Sequence, residues 1–157
     1  MDINAKEKRK RALKGESGVA IVEFALILPL LMFLIVAILD FGRALNYWAD
    51  TTHLASEGAR MAAVDRVPTG SASLQSYIHD QADSPELRDG GSQSIADPLE
   101  VCVTPVGDEV GDPVEVTVTT NYKWIPLLGI ADVTTAITGK ATMRRERPAD
   151  NVSAGCE

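Results

Sequence analysis

The sequence is poor in the residues from which catalytic and metal centres are built. Its two histidines, His53 and His79, are not placed at any ligand spacing, and its two cysteines, Cys102 and Cys156, are far apart. No nucleophile, base and acid fall into a recognisable constellation, and no phosphate loop or dinucleotide fingerprint is present. An enzyme, a metal centre and a bound cofactor are therefore not expected, and both histidines read as surface or groove residues. Asp108, Glu109 and Asp112 lie near glycines, but their spacing is not that of an EF-hand loop, so they read as a solvated hairpin. Asn151-Val152-Ser153 has the form of a glycosylation sequon, a match short enough to arise by chance. A small-residue cleavage site after the main apolar run is also missing, which disfavours an ordinary secretory signal.

What is present is asymmetric. Residues 1–18 hold Lys6, Lys8, Arg9, Lys10, Arg11 and Lys14 against three acids, a net of +3, so the remainder carries −10 of the chain's −7. A basic tip can mean nucleic-acid binding. Here an apolar run follows at once, and the tip reads as a topology signal with no nucleic-acid partner. From Val19 to Leu39 the only ionisable residue is Glu23. A helix of that length spans about 31 Å, the hydrocarbon thickness of a bilayer. Basic residues before it and Asp40 after it put the N-terminus in the cytoplasm and the rest of the chain outside, by the positive-inside rule.

The boundary between leader and apolar run reads Gly18-Val19-Ala20-Ile21-Val22-Glu23-Phe24. A glycine closing a basic leader, with a glutamate fifth in the apolar run, resembles the processing site of type IV pilin precursors. The resemblance implies cleavage by a prepilin peptidase between Gly18 and Val19, and a mature chain of 139 residues. Glycine at that position can be extended in a narrow groove. Glu23 would lie one turn from the new α-ammonium, where the helix dipole favours a carboxylate. Alone in lipid such a group costs up to about 3 kcal/mol near mid-bilayer. The resemblance supplies a partner, the N-terminal ammonium of a neighbouring subunit, with Glu23 setting assembly register. On chemistry alone, a boundary carboxylate reaching the headgroups serves equally.

Further stretches narrow the family. Val22-Glu23-Phe24-Ala25-Leu26 with Leu28-Pro29-Leu30-Leu31, then Phe41-Gly42-Arg43-Ala44, then Ala55-Ser56-Glu57-Gly58-Ala59-Arg60-Met61-Ala62, resemble TadE-like proteins, pilin-like minor components of the tight-adherence (Flp) pilus machinery. Thr142-Met143-Arg144-Arg145-Glu146 is a weaker match to how their last strand ends. The specific similarity covers about residues 15–65. It implies a minor pseudopilin in the inner membrane whose partners are the prepilin peptidase, other pilins and pilin-like subunits, the inner-membrane assembly platform and the lipid bilayer. The alternative is an unprocessed single-pass protein displaying an extracytoplasmic binding or sensor domain.

Beyond the bilayer the helical spacing continues through Phe41, Leu45, Trp48, Thr52, Ala55, Ala59 and Ala62, predicting one helix to about residue 65 that ends before Pro68. Pro29 is expected to kink it. Tyr47 and Trp48 suit either the membrane interface or the domain core. Ser71 or Ser73 is placed to cap a short helix through about residue 82. Residues 83–98, rich in Asp, Ser, Gly and Pro, read as a loop. Alternation at Leu99, Val101 and Val103, at Val114, Val116 and Val118 continuing to Tyr122 and Trp124, and at Ile137, Gly139, Ala141 and Met143 predicts three strands within 99–145. Gly107–Pro113 forms the hairpin connection, Ile125–Ile130 an apolar loop, and 146–157 a tail. The expected fold is α+β: a long N-terminal transmembrane helix continuing into a small domain with a three-stranded antiparallel sheet, as in pilins. Cys102 and Cys156 both fall on the extracytoplasmic side, where a disulfide can persist and would tie the tail to the first strand.

Overall fold

The structure is a computed structural model that describes the backbone of residues 3–125 and 133–157 and, within these, side chains from Gly18 onward. The leader's side chains before Gly18 and the apolar loop beyond Ile125 lie outside the described residues. The chain divides into two units, Met1–Leu39 and Asp40–Glu157.

The first unit consists of the N-terminal part of helix α1 (Ile3–Ala63), with Pro29 inside it. Nothing among the unit's described residues covers its apolar side chains: Val19, Ile21, Phe24, Leu26, Leu30 and Leu34 are all exposed. Uniform apolarity on every face is the pattern of a helix solvated by lipid. α1 is long and apolar enough to cross a membrane, and is the one such helix among the described residues.

The second unit comprises the remainder of α1, two short helices, α2 (Leu74–Asp80) and α3 (Pro85–Asp89), and four strands, β1 (Glu100–Pro105), β2 (Pro113–Lys123), β3 (Thr134–Arg144) and β4 (Gly155–Cys156). The sheet is antiparallel in the order β3-β2-β1-β4. Three strands were expected, and the fourth corrects that reading. β4 has no hydrophobic alternation to announce it. It exists because Cys102 faces Cys156 across the ladder and Val101 and Glu157 exchange backbone hydrogen bonds of 2.9 and 3.0 Å. The α+β class holds.

Val101, Val103, Val114, Val116, Val118 and Tyr122 line the buried face of the sheet, and α1 covers it with Leu54, Ala55, Ala59 and Ala62. The helix can come this close because its facing residues are small. At Gly139 a Cβ would collide with the Thr51 carbonyl on α1. At Gly58 it would stand 3.0 Å from Val116 Cγ1 and 3.4 Å from Ile78 Cγ1.

The stripe read from the sequence is only half the buried one. Ala55, Ala59 and Ala62 are buried, whereas Phe41, Leu45 and Trp48 are exposed. The buried face of α1 starts instead with Asp40, Ala44, Tyr47 and Thr51. Three of these carry polar groups: Asp40 and Tyr47 are satisfied by tertiary hydrogen bonds, and Thr51 Oγ1 donates to Trp48 O within the helix, none of which hydrophobic periodicity can register.

Ser73 caps α2, accepting from Ser76 N–H at 2.9 Å. Within residues 83–98, read as loop, Ser84 caps α3 by accepting from Leu87 N–H at 3.2 Å, with Pro85 at a first-turn position suited to it. Leu87 and Ile95 from this stretch are fully buried, and Ile95 bridges to Tyr122.

Candidate functional site

Gly18 sits within α1 and is exposed, and beyond its own stretch of helix no atom of the described residues lies within 4 Å of where a Cβ would be. Glycine in a helix interior costs about 1 kcal/mol relative to alanine. No packing contact requires a glycine here, unlike at Gly58 and Gly139. Val19 is exposed beside it, and Glu23, also exposed, has no hydrogen bond or ion pair among the described residues. The three residues therefore sit together on one accessible, otherwise apolar helical segment.

At the other end of the apolar run, Asp40 is not the free flanking charge that its sequence position suggests. It is 4% exposed. One carboxylate oxygen accepts a short hydrogen bond from the Tyr122 hydroxyl, and the other accepts from Ile125 N–H at 3.0 Å. Tyr122 is itself fully buried, and burial, together with its hydrogen bond to Asp40, pushes its pKa up to about 12. The rings of Phe41, Trp124, Tyr122 and Tyr47 follow one another: Phe41 stacks on Trp124 at 6.4 Å, Trp124 meets Tyr122 edge-on at 5.1 Å, and Tyr122 lies 5.7 Å from Tyr47. Tyr47 donates to Glu86 on α3, and burial raises its pKa well above the usual phenol value. Sequence reasoning missed this cluster, although an aspartate seven positions before a helical tyrosine, Tyr122 and Trp124 at alternate strand positions, and a buried tyrosine's need for an acceptor were all visible.

At its C-terminal end α1 closes in a Schellman arrangement, with Arg66 N–H donating to Met61 O at 3.0 Å and Asp65 N–H to Ala62 O at 3.2 Å. Asp65 occupies the left-handed position usually given to glycine, at φ 50°. Its carboxylate accepts from the backbone N–H groups of Asp150, Asn151 and Val152 at 2.9 to 3.1 Å and from Asn151 Nδ2 at 2.8 Å. Burial alone would raise its pKa, but these donors together outweigh it and hold the carboxyl below the usual range. The sequon's amide nitrogen is thus engaged by Asp65. Asp50, by contrast, is pushed up by burial even though it accepts from Asp83 N–H at 3.1 Å.

Cys102 and Cys156 form a disulfide across the β1–β4 ladder. Glu100 lies within reach of both sulfurs, but sulfurs joined to each other are not thiolate ligands. His53 lines an open groove of about 850 Å³ with Glu57, Arg60, Arg66, Met143 and Glu146. His79 is half-buried, with Nδ1 3.8 Å from Asp80. Asp112 accepts from Glu109 N–H at 3.1 Å, an ordinary hairpin contact. No acid–base–nucleophile arrangement is formed among the described residues.

A lipid-facing helix near the N-terminus and a small α+β unit that follows it define the class: the arrangement suggests a single-pass membrane protein. Residues 18–60 match the family of TadE-like proteins, so the segment from Gly18 to the small-residue face of α1 is TadE-like. No curated protein and no solved structure matches the chain. The family points to a protein associated with Tad pili, a role that is generally non-enzymatic.

Proposed function

We propose that this chain is a minor pseudopilin of a tight-adherence pilus, processed by a prepilin peptidase between Gly18 and Val19. The observation that carries this reading is the family match over residues 18–60, which begins at the candidate scissile glycine and includes Glu23. Two features support it. Gly18 has an unfilled environment that leaves its presence without a packing reason, and residues 19–35 after it are all exposed. Such a helix can remain in the bilayer or leave it for a filament by exchanging lipid contacts for those of other pilin helices, because lipid tails and packed apolar side chains are of similar polarity. The N-terminus is cytoplasmic, the second unit extracytoplasmic, and the membrane the inner one. Since Gly18 lies in a helix, cleavage requires the peptidase to open the first turns of the apolar run. The C-terminal unit serves as the pilin-like head.

Glu23 is the register element. Its carboxylate lacks a partner among the described residues, and the α-ammonium of a neighbouring processed subunit offers one. The test is amino-terminal sequencing of protein purified from its native membrane. Val19 is expected at the head of the chain, and a functioning pilus whose subunits retain the leader overturns processing. Glu23→Ala is expected to insert in the membrane normally and to be depleted from isolated pili, and equal incorporation with wild type overturns the register role.

A further inference from the structure

The sequence ends its apolar run at Asp40, but the surface of α1 does not become polar there. Asp40 is turned into the C-terminal unit and satisfied by Tyr122 and Ile125. On another side of the helix, Phe41, Leu45 and Trp48 are 54%, 48% and 53% exposed. Their spacing of four and three puts these three on one helical face, and in the sequence they follow the exposed Leu34 and Ile38 at the same spacing. Trp124 stacks on Phe41, and Ile125, at 39% exposure, follows it. The carboxylate that fixes Ile125 N–H belongs to the first residue after the apolar run.

We propose that this aromatic and aliphatic face is a second membrane contact. It rests in the interfacial layer of the bilayer and seats the C-terminal unit on the lipid surface. The inference depends on the membrane-spanning reading of residues 19–39. At 1.5 Å per residue, Phe41, Leu45 and Trp48 lie about 3, 9 and 14 Å beyond Leu39 along the helix. The interfacial layer is about 5–7 Å deep on each side of the hydrocarbon. Helical side chains lean back toward the N-terminus, and transmembrane helices tilt by about 20° on average. Both effects bring Leu45 and the Trp48 ring down into that layer. Tryptophan is favoured there because its ring is apolar and its N–H can hydrogen-bond at the headgroup level. The burial of Asp40 is what permits the contact, since a free carboxylate at the hydrocarbon edge would hold this face in water. The role of the Asp40–Tyr122–Ile125 cluster is therefore to clear charge from the lipid-facing side of the helix.

Trp48 and Trp124 are the only tryptophans, which makes the face directly observable. The full chain is reconstituted at high dilution in phosphatidylcholine vesicles carrying bromine either near the headgroup or near the chain end. Trp48→Phe and Trp124→Phe leave one reporter each. A third protein lacking both and carrying Leu31→Trp reports on the span. With bromine near the headgroup, the Trp48 reporter is expected to lose about half its emission or more, with less loss to deep bromine, as for other interfacial rings. The Leu31→Trp reporter is expected to be quenched by deep bromine. Deep quenching of Leu31→Trp with a Trp48 reporter open to aqueous acrylamide overturns the contact and leaves the span intact. A Trp48 reporter shielded from both bromine and acrylamide means that protein covers the face, and also overturns it. An unquenched Leu31→Trp overturns the spanning reading itself, and the contact with it.

Discussion

Asp65 joins the end of α1 to the last residues of the chain, and replacing it tests two physical roles at once. The first is conformational. At φ 50° a residue with a Cβ, other than Asn or Asp, costs about 1–2 kcal/mol, whereas glycine costs little. The second is the carboxylate, which accepts from three backbone N–H groups and one amide of residues 150–152. Hydrogen bonds to a charged group contribute about 1.5–3 kcal/mol each, but amides released at the surface regain water, so the four do not sum. Asp65→Ala loses both roles and is expected to cost about 3–5 kcal/mol. Asp65→Gly keeps the turn and loses the acceptor, for about 2–4 kcal/mol. Asp65→Asn keeps the turn and one acceptor oxygen, for about 1–2 kcal/mol.

The assay is denaturant unfolding of the detergent-solubilised full chain with its disulfide intact, followed by circular dichroism, with hydrogen exchange at the Val152 amide as the local probe. The order of stability should be Asn above Gly above Ala. An alanine variant within about 0.5 kcal/mol of wild type with Val152 still protected would refute the reasoning. The pH dependence gives an independent check. The folded pKa of Asp65 lies below its unfolded value, so its contribution is present above the ordinary carboxylate pKa and fades as pH falls through the folded one. Asp65→Asn should lack that acid limb. Asp50, raised by burial, acts in the opposite sense: its contribution is present at low pH and lost as pH rises through its folded value.

Gly139→Ala should cost about 3 kcal/mol or more, because the new methyl meets the Thr51 carbonyl and neither backbone can yield locally; a shift in unfolding midpoint below a third of that would show that the helix can slide on the sheet. Reduction of Cys102–Cys156, which closes a separation of 54 residues, should lower stability by up to about 4 kcal/mol in the loop-entropy account, while the Asp65 contacts keep Val152 protected; loss of that protection on reduction alone would show that the disulfide, and not Asp65, holds the tail. Asp40→Ala should cost about 2–4 kcal/mol by leaving the buried Tyr122 hydroxyl and Ile125 N–H without an acceptor, which thermal unfolding in detergent measures. With its pKa raised to about 12, Tyr122 contributes stability that is present below the ordinary phenol pKa and lost as pH rises through the folded one, so alkaline unfolding should accompany the growth of tyrosinate absorbance; complete ionisation of all tyrosines near pH 10 without unfolding would contradict its burial.

Some of this protein is settled by residue order alone. The apolar run and its basic leader are contiguous, and their meaning comes from the properties of a bilayer and of a single helix. Neither requires knowing what else the chain touches. The strands at Val101–Val103 and Val114–Val118 are equally local, because a half-buried strand alternates whatever it packs on. The cap at Ser73 belongs with them, since it satisfies N–H groups three residues away. The rest depends on partners 54 or more positions apart. Asp40 read as an exposed flank because its acceptors' donors, Tyr122 and Ile125, lie across the fold. Phe41 and Leu45 read as part of the packing stripe, and Trp48 as suited to either core or interface, because periodicity finds an apolar face without saying which face another element covers. β4 and the Asp65 tail anchor were invisible for a related reason: two-residue strands and carboxylate-bound turns carry no apolar pattern. Hydrophobicity is written in the local sequence, while the satisfaction of buried polar groups is decided only when the chain has folded around them.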